Sequence, residues 1–177
     1  EMAYAVLNSK DYGIPQNRER LWMFAQLGGL PNGFSIIPPK KELTKFFGDF
    51  LYPDDVDPSL RLSDLQIEHL KEKHHINSFN VAEPLCLDIY NKKIKENRLC
   101  ITITQPEHNS LCVIEPIKDG KERVRKMSVE EQFHFMGFER GELNFAGQSY
   151  SQLSKRAGNG WDVNLVGILL NHIFSQL

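Results

Sequence analysis

Apolar and polar positions follow two rhythms along this chain, and each predicts a different kind of element. The opening run, Glu1-Met2-Ala3-Tyr4-Ala5-Val6-Leu7, is apolar from its second residue, with no cap or turn before it. Such a start has nothing of its own to pack on, so a preceding segment or a partner chain is expected to cover it. Residues 20–27 (RLWMFAQL) are aromatic-rich and bounded by Gly28-Gly29, which predicts a buried strand. Residues 28–39 carry Gly-Gly, Pro-Asn-Gly and Pro-Pro punctuation and read as loop. A short helix is expected over 43–51 and an acidic turn over 54–58. Residues 80–115 alternate apolar runs with polar turns, predicting strands over 85–90, 99–104 and 111–114.

Helical spacing appears in three places. Ser63 with Gln66 three residues on predicts a capped helix over 63–73, with Leu65, Ile67 and Leu70 as its apolar contacts. Ser128-Val129-Glu130-Glu131 is a second capping pattern; Val129, Phe133 and Met136 then share a side, and Gly137 can end the helix. From about residue 161 to the C-terminus, Val163, Val166, Leu170, Ile173, Phe174 and Leu177 form an apolar stripe.

Composition narrows the class. The 177 residues are 41% hydrophobic and 25% charged, the balance of a globular protein. No apolar run approaches the roughly 20 residues of a membrane span, and no signal peptide is expected. Cys86, Cys100 and Cys112 are odd in number and widely spaced, which argues for buried thiols over a disulfide framework or zinc ribbon. The six histidines are scattered, and His74-His75 would diverge on a helix, so no metal site is expected. The net charge of −2 is unevenly spread. Residues 91–126 hold nine Lys and Arg against five Asp and Glu, making that stretch +4 and the rest −6. A local basic surface is what phosphate contact needs, and a solvated face without a partner would look the same.

Three clusters carry candidate chemistry. In Tyr12-Gly13-Ile14-Pro15-Gln16-Asn17-Arg18-Glu19-Arg20, a Gly/Pro turn delivers Gln16, Arg18 and Arg20 at alternate positions, so a strand would line them up on one face. Two neighbouring guanidiniums suit phosphate oxygens or a base carbonyl, and an internal salt bridge with Glu19 would occupy them equally well. The helix from Ser128 to Met136-Gly137-Phe138 is by itself an ordinary capped helix. Gly158-Asn159-Gly160-Trp161 precedes the last helix, where glycine permits close approach and helix-start amides are free donors.

Taken together, in this order, the clusters resemble the cytosine-C5 DNA methyltransferase family. The first is similar to that family's eighth motif. Arg125-Lys126-Met127-Ser128-x-x-Glu131-x-x-His134-Phe135-x-Gly137-Phe138 is similar to its ninth, with His134-Phe135 where Arg-Leu is usual. Gly158-Asn159 before an amphipathic helix is similar to the tenth, with Gly160-Trp161-Asp162-Val163 where a small residue and Val are usual. The family's glycine-rich cofactor loop, Pro-Cys nucleophile motif and Glu-Asn-Val motif have no counterpart in the sequence, and Pro84-Leu85-Cys86 is not a substitute.

The resemblance implies an α/β fold: the C-terminal part of a Rossmann-like, S-adenosylmethionine-dependent methyltransferase with a small β-rich target recognition domain. Residues 1–27 and 126–177 would belong to the catalytic domain, and 28–125 would be the recognition domain. It implies a target cytosine flipped from duplex DNA, attacked at C6 by a cysteine thiolate and methylated at C5 from S-adenosylmethionine. Arg20 would contact O2 of the flipped base. Arg18 and Gln16 would hold the flanking DNA backbone or neighbouring catalytic elements, and Asn159 would line the cofactor site. Ile101-Thr102-Ile103 is similar to the family's Thr-Leu pair, which would set Thr102 against DNA phosphate, with 90–98 and 105–110 as base readers. The implied partners are double-stranded DNA and an N-terminal catalytic half in the same or another chain, with a homodimer of the fragment as another way to cover bare apolar faces. The implied setting is cytoplasmic, of bacterial or phage type, within restriction-modification. A non-catalytic DNA-binding specificity module and an interaction scaffold with a vestigial likeness stay open beside the enzyme reading.

Overall fold

A computed structural model describes residues 1–108 and 111–177. Among these residues, six strands and four α-helices run in the order β1 (Met2–Asn8), β2 (Glu19–Ala25), α1 (Asp64–His74), β3 (Leu85–Asp88), β4 (Lys93–Lys95), β5 (Leu111–Lys118), β6 (Lys121–Arg125), α2 (Val129–His134), α3 (Tyr150–Asn159) and α4 (Val163–Phe174). Strands β1 and β2 pair antiparallel as a two-stranded ribbon, Tyr4 opposite Met23 and Val6 opposite Leu21. The other four form an antiparallel sheet in the order β4-β3-β5-β6.

Local chemistry starts each helix. Ser63, Ser128 and Ser149 each accept from the backbone N–H three residues on, and Gln66, Glu131 and Gln152 return the bond. Asp162 caps α4 through the Leu165 N–H at 3.1 Å. These bonds satisfy donors that a helix start leaves orphaned.

The four-stranded sheet is buried on both faces, and side-chain alternation sorts its residues between two cores. Leu87, Cys112, Ile114 and Val124 pack with Ile67 of α1 and with Phe79. Cys86 and Val113 face the central core, where Phe47, Phe50, Ile103, Met127, Phe135, Met136 and Ala157 meet. All three cysteines are free and buried. The ribbon lays one face on α4, with Leu7, Leu165, Leu169 and Ile173 at the centre and Ala3, Ala5, Trp22 and Phe24 around them. Its other face is bare: Met2, Tyr4, Val6, Leu21 and Met23 are 52–68% exposed. Among the described residues no helix is long and apolar enough to cross a membrane.

Several expectations change. The helix expected over 43–51 is a single 3-10 turn, Phe47–Phe50. The strand expected over 99–104 does not form; Cys100 makes an isolated bridge to Gln16 instead, its N–H and carbonyl taken by Pro15 and Asn17. The last helix buries Leu165, Leu169 and Ile173, while Val163, Leu170, Phe174 and Leu177 of the expected stripe are exposed. That helix is apolar on nearly every side, so its spacing could not say which side meets the ribbon. Helix α3 is an element the apolar pattern did not announce, although Ser149 and Gln152 spell its cap.

Candidate functional site

The ribbon exists to present a loop. Between β1 and β2, residues 9–18 fold back on Asn8, whose Oδ1 accepts from the Arg18 and Lys10 N–H groups and whose Nδ2 donates to Asn17 Oδ1 at 2.8 Å. Strand pairing starts only at Glu19, so Gln16 and Arg18 lie before the strand and do not line up with Arg20 on its face.

Arg18 is 2% exposed and makes no ion pair with a carboxylate among the described residues. Its guanidinium donates to three backbone carbonyls: Ile103 at 2.8 Å, Gly158 at 3.0 Å and Gly160 at 2.6 Å. One side chain thus ties the first cluster to the middle of the chain and to the Gly158-Asn159-Gly160 turn. Burial, and then the charge of Arg20, pull its pKa down to about 10, against the opposing pull of Asp162. Gln16 is fully buried behind it, beside Cys100. Arg20 differs. It is partly exposed, and its guanidinium makes one hydrogen bond among the described residues, to the carbonyl of its neighbour Glu19 at 2.7 Å. Its remaining donors have no partner among the described residues.

The middle segment locks onto the same point. Thr102 Oγ1 donates to the Asn17 carbonyl at 2.6 Å, so a phosphate at Thr102 would compete for that proton. Gln105 Nε2 donates to Asn159 Oδ1 at 2.8 Å. Asn159 is exposed at the end of α3, and a groove of about 490 Å³ opens beside it. Its walls include Phe133, Met136, Phe138, Trp161 and Val163, with Asn159 and Arg156 as the polar points. Apolar walls with a few convergent polar groups are the usual make-up of a small-molecule cleft.

The basic stretch proves less available than its composition implied. Lys95 pairs with Asp88, Arg98 with Glu83, Lys121 with Asp64, and Arg123 and Arg125 with Glu115. Arg125 also pairs with Glu131 at 2.7 Å, all three of Arg125, Glu115 and Glu131 being buried. Lys92, Lys93, Lys118 and Lys126 carry no ion pair among the described residues, and Tyr90 is 83% exposed beside the first two, at the β3–β4 turn. Asn109 and Ser110, within the stretch expected to read bases, lie outside the described residues. The buried Arg125 network was invisible to charge counting. The signal for it was Glu131, which serves at once as helix cap and as counter-ion.

Known proteins share this sequence and this arrangement. A family model described as C-5 cytosine-specific DNA methylase matches residues 1–175. The Type II methyltransferase M2.ScrFI of Lactococcus lactis subsp. cremoris is 27% identical over 177 residues, covering 97% of this chain and 44% of that protein. Among solved structures, the Dnmt2 methyltransferase of S. pombe superposes with a TM-score of 0.67 at 14% identity, over 99% of this chain and 57% of the other. The Entamoeba histolytica methyltransferase EhMeth gives 0.62 at 17% identity, over 99% and 53%. The chain therefore has the α/β fold of these methyltransferases and spans about half their length.

Proposed function

Because the chain belongs to the C-5 cytosine-specific DNA methylase family, we propose that it supplies target recognition and part of the active site to an enzyme that methylates C5 of a flipped cytosine in duplex DNA. The observation that supports this most is the division of labour between two arginines two residues apart. Arg18 is consumed by backbone carbonyls and holds three segments together, which leaves Arg20 with uncommitted donors at the edge of the loop. Addition of a nucleophile at C6 throws charge onto the pyrimidine ring, and a guanidinium at O2 stabilises that charge in the transition state. The positive field of Arg18 adds to it. Gln16 and Thr102 act from behind, keeping the loop and the 102–105 segment in place beside the DNA backbone. Residues 28–125 form the recognition lobe, with Tyr90, Lys92 and Lys93 as its most accessible readers of the duplex.

S-adenosylmethionine supplies the methyl group when bound. The residues present fit part of that ligand: an apolar groove with the Asn159 amide at its rim. The glycine-rich loop that would hold the remainder has no counterpart in this sequence. An N-terminal half carrying that loop and the nucleophilic cysteine is the partner, in this polypeptide or another. The bare apolar face of the ribbon gives it a place to sit, since an exposed contiguous apolar patch is the usual mark of an interaction surface.

The test is reconstitution. The chain combined with such a half should transfer methyl groups to a duplex oligonucleotide, with duplex affinity that falls as salt rises. In that enzyme Arg20→Ala should abolish turnover while duplex affinity stays within about tenfold, because flipping is only partly coupled to binding. Full activity in the variant would remove Arg20 from the chemistry. Duplex binding without any methyl transfer would instead fit a specificity module.

A further inference from the structure

The middle segment does more than pack near the asparagine turn. A Cβ on Gly158 would fall 2.4 Å from the Thr104 carbonyl carbon and 2.6 Å from the Gln105 nitrogen, so the two backbones touch with no side chain between them. Arg18 clamps the same contact from the other side through Ile103, Gly158 and Gly160. On this platform, Gln105 Nε2 reaches the Asn159 side-chain oxygen at 2.8 Å.

A carboxamide has acceptors at one end and donors at the other, and it can be turned end for end. With Oδ1 engaged by Gln105, the Nδ2 group of Asn159 is the end left for whatever occupies the groove. We propose that Gln105, a residue of the recognition lobe, is a positioning residue for Asn159, fixing its amide so that it offers hydrogens and not lone pairs to the methyl donor. This rests on reading Asn159 as part of the donor site. The chemistry suits an adenosyl amino acid, whose ribose, carboxylate and ring nitrogens all accept hydrogen bonds. It also makes the donor site sensitive to DNA. Gln105 lies three residues beyond Thr102, so a duplex that shifts the 102–105 segment alters the Asn159 amide, and by linkage the two ligands change each other's affinity by the same factor.

The experiment is a double-mutant cycle on the reconstituted enzyme, with S-adenosylhomocysteine as the probe and its dissociation constant read by calorimetry. Gln105→Ala should weaken binding about three- to tenfold, the scale of one hydrogen bond. The Gln105→Ala, Asn159→Ala pair should be no weaker than Asn159→Ala alone. Gln105→Glu keeps the length but can only accept when ionised; it draws the NH₂ group toward itself and should weaken binding at least as much as Gln105→Ala. Both residues lie at the surface of the contact, and thermal melts of each variant serve as the folding control. The full chain by itself gives a second reading, because loss of the bond in Gln105→Ala should move the Asn159 side-chain carbonyl resonance. Weakening by Asn159→Ala but not by Gln105→Ala, or additive losses in the pair, would overturn the positioning role and leave the proposed function standing. No effect of Asn159→Ala would remove that residue from the donor site and take both down together.

Discussion

Two arginines are sunk equally deep in this protein and live in opposite electrostatic worlds. Arg125 sits between the Glu115 and Glu131 carboxylates at 2.6–2.8 Å. Burial disfavours its charge, yet the hydrogen bonds it donates to Glu131 and Glu115, with their charges, outweigh this and raise its pKa. It is a neutralised strut between the β5–β6 edge of the sheet and α2. Among the described residues Arg18 donates only to carbonyl oxygens, beside the second cation Arg20, and the charge of Asp162 acts on it without an ion-pair contact. The first arrangement cancels a field and the second maintains one. A buried guanidinium without an ion-paired carboxylate is costly, and here its positive potential lies next to the side chain proposed to meet an electron-rich base. The nearby carboxylates follow the same division. Burial pushes Glu115 up, but hydrogen bonds from Arg125 and Arg61 prevail and hold it below its ordinary value. Burial pushes Asp162 up, and the bonds from Leu165 and Ser9 and the charge of Arg18 do not offset it.

The comparison breaks most visibly at the strut. Glu131→Ala leaves Arg125 buried with half its pairing gone and strips acceptors from the Tyr52 and Ser128 N–H groups. It should cost about 3–5 kcal/mol in denaturant unfolding; a loss below about 1 kcal/mol would mean that the strut carries no load. Gly158→Ala probes the other region and has a sign that decides. Helix propensity alone predicts a gain of up to about 1 kcal/mol, whereas the close approach to Thr104 predicts a loss of about 1–3 kcal/mol from overpacking. A higher melting temperature would show that the contact is loose.

The smallest effects lie in pH. Glu115 is lowered in the fold, so its stabilisation is complete above its ordinary value of 4.5 and is lost as pH falls below that. Glu115→Gln should remove this part of the acid limb, read from unfolding between about pH 3 and pH 6. Asp162 is raised from 3.8, so whatever it contributes is present below 3.8 and lost as pH rises through its higher folded value. Asp162→Asn keeps the cap on α4 and should change stability at neutral pH by less than about 1 kcal/mol. Identical pH profiles for both variants would erase the distinction between the two regions.

Much of this was legible from residue order, because caps and turns are local. Ser63 with Gln66 and Ser128 with Glu131 announced where α1 and α2 start, although α2 ends at His134, short of the Met136 expected on it. The fates of the arginines were not local. Arg18 is bound by carbonyls 85 to 142 positions away, and nothing in Gln-Asn-Arg-Glu-Arg says that one guanidinium is buried and the other offered outward. Strand period placed Arg18 and Arg20 on one face, but the first sits in the loop before pairing begins. The run 99–104 failed as a strand for a related reason. Its backbone groups bind the loop at residues 15–18 and the Arg18 side chain, partners that lie far away in sequence.

The seam at Gly158 sets a rule for chimeras. An engineer who exchanges the chain between residues 28 and 125 for a foreign segment inherits a neighbour with no room to give. The incoming chain must trace the same path where Thr104 and Gln105 now run, or arrive with its own glycine-asparagine corner already matched to it.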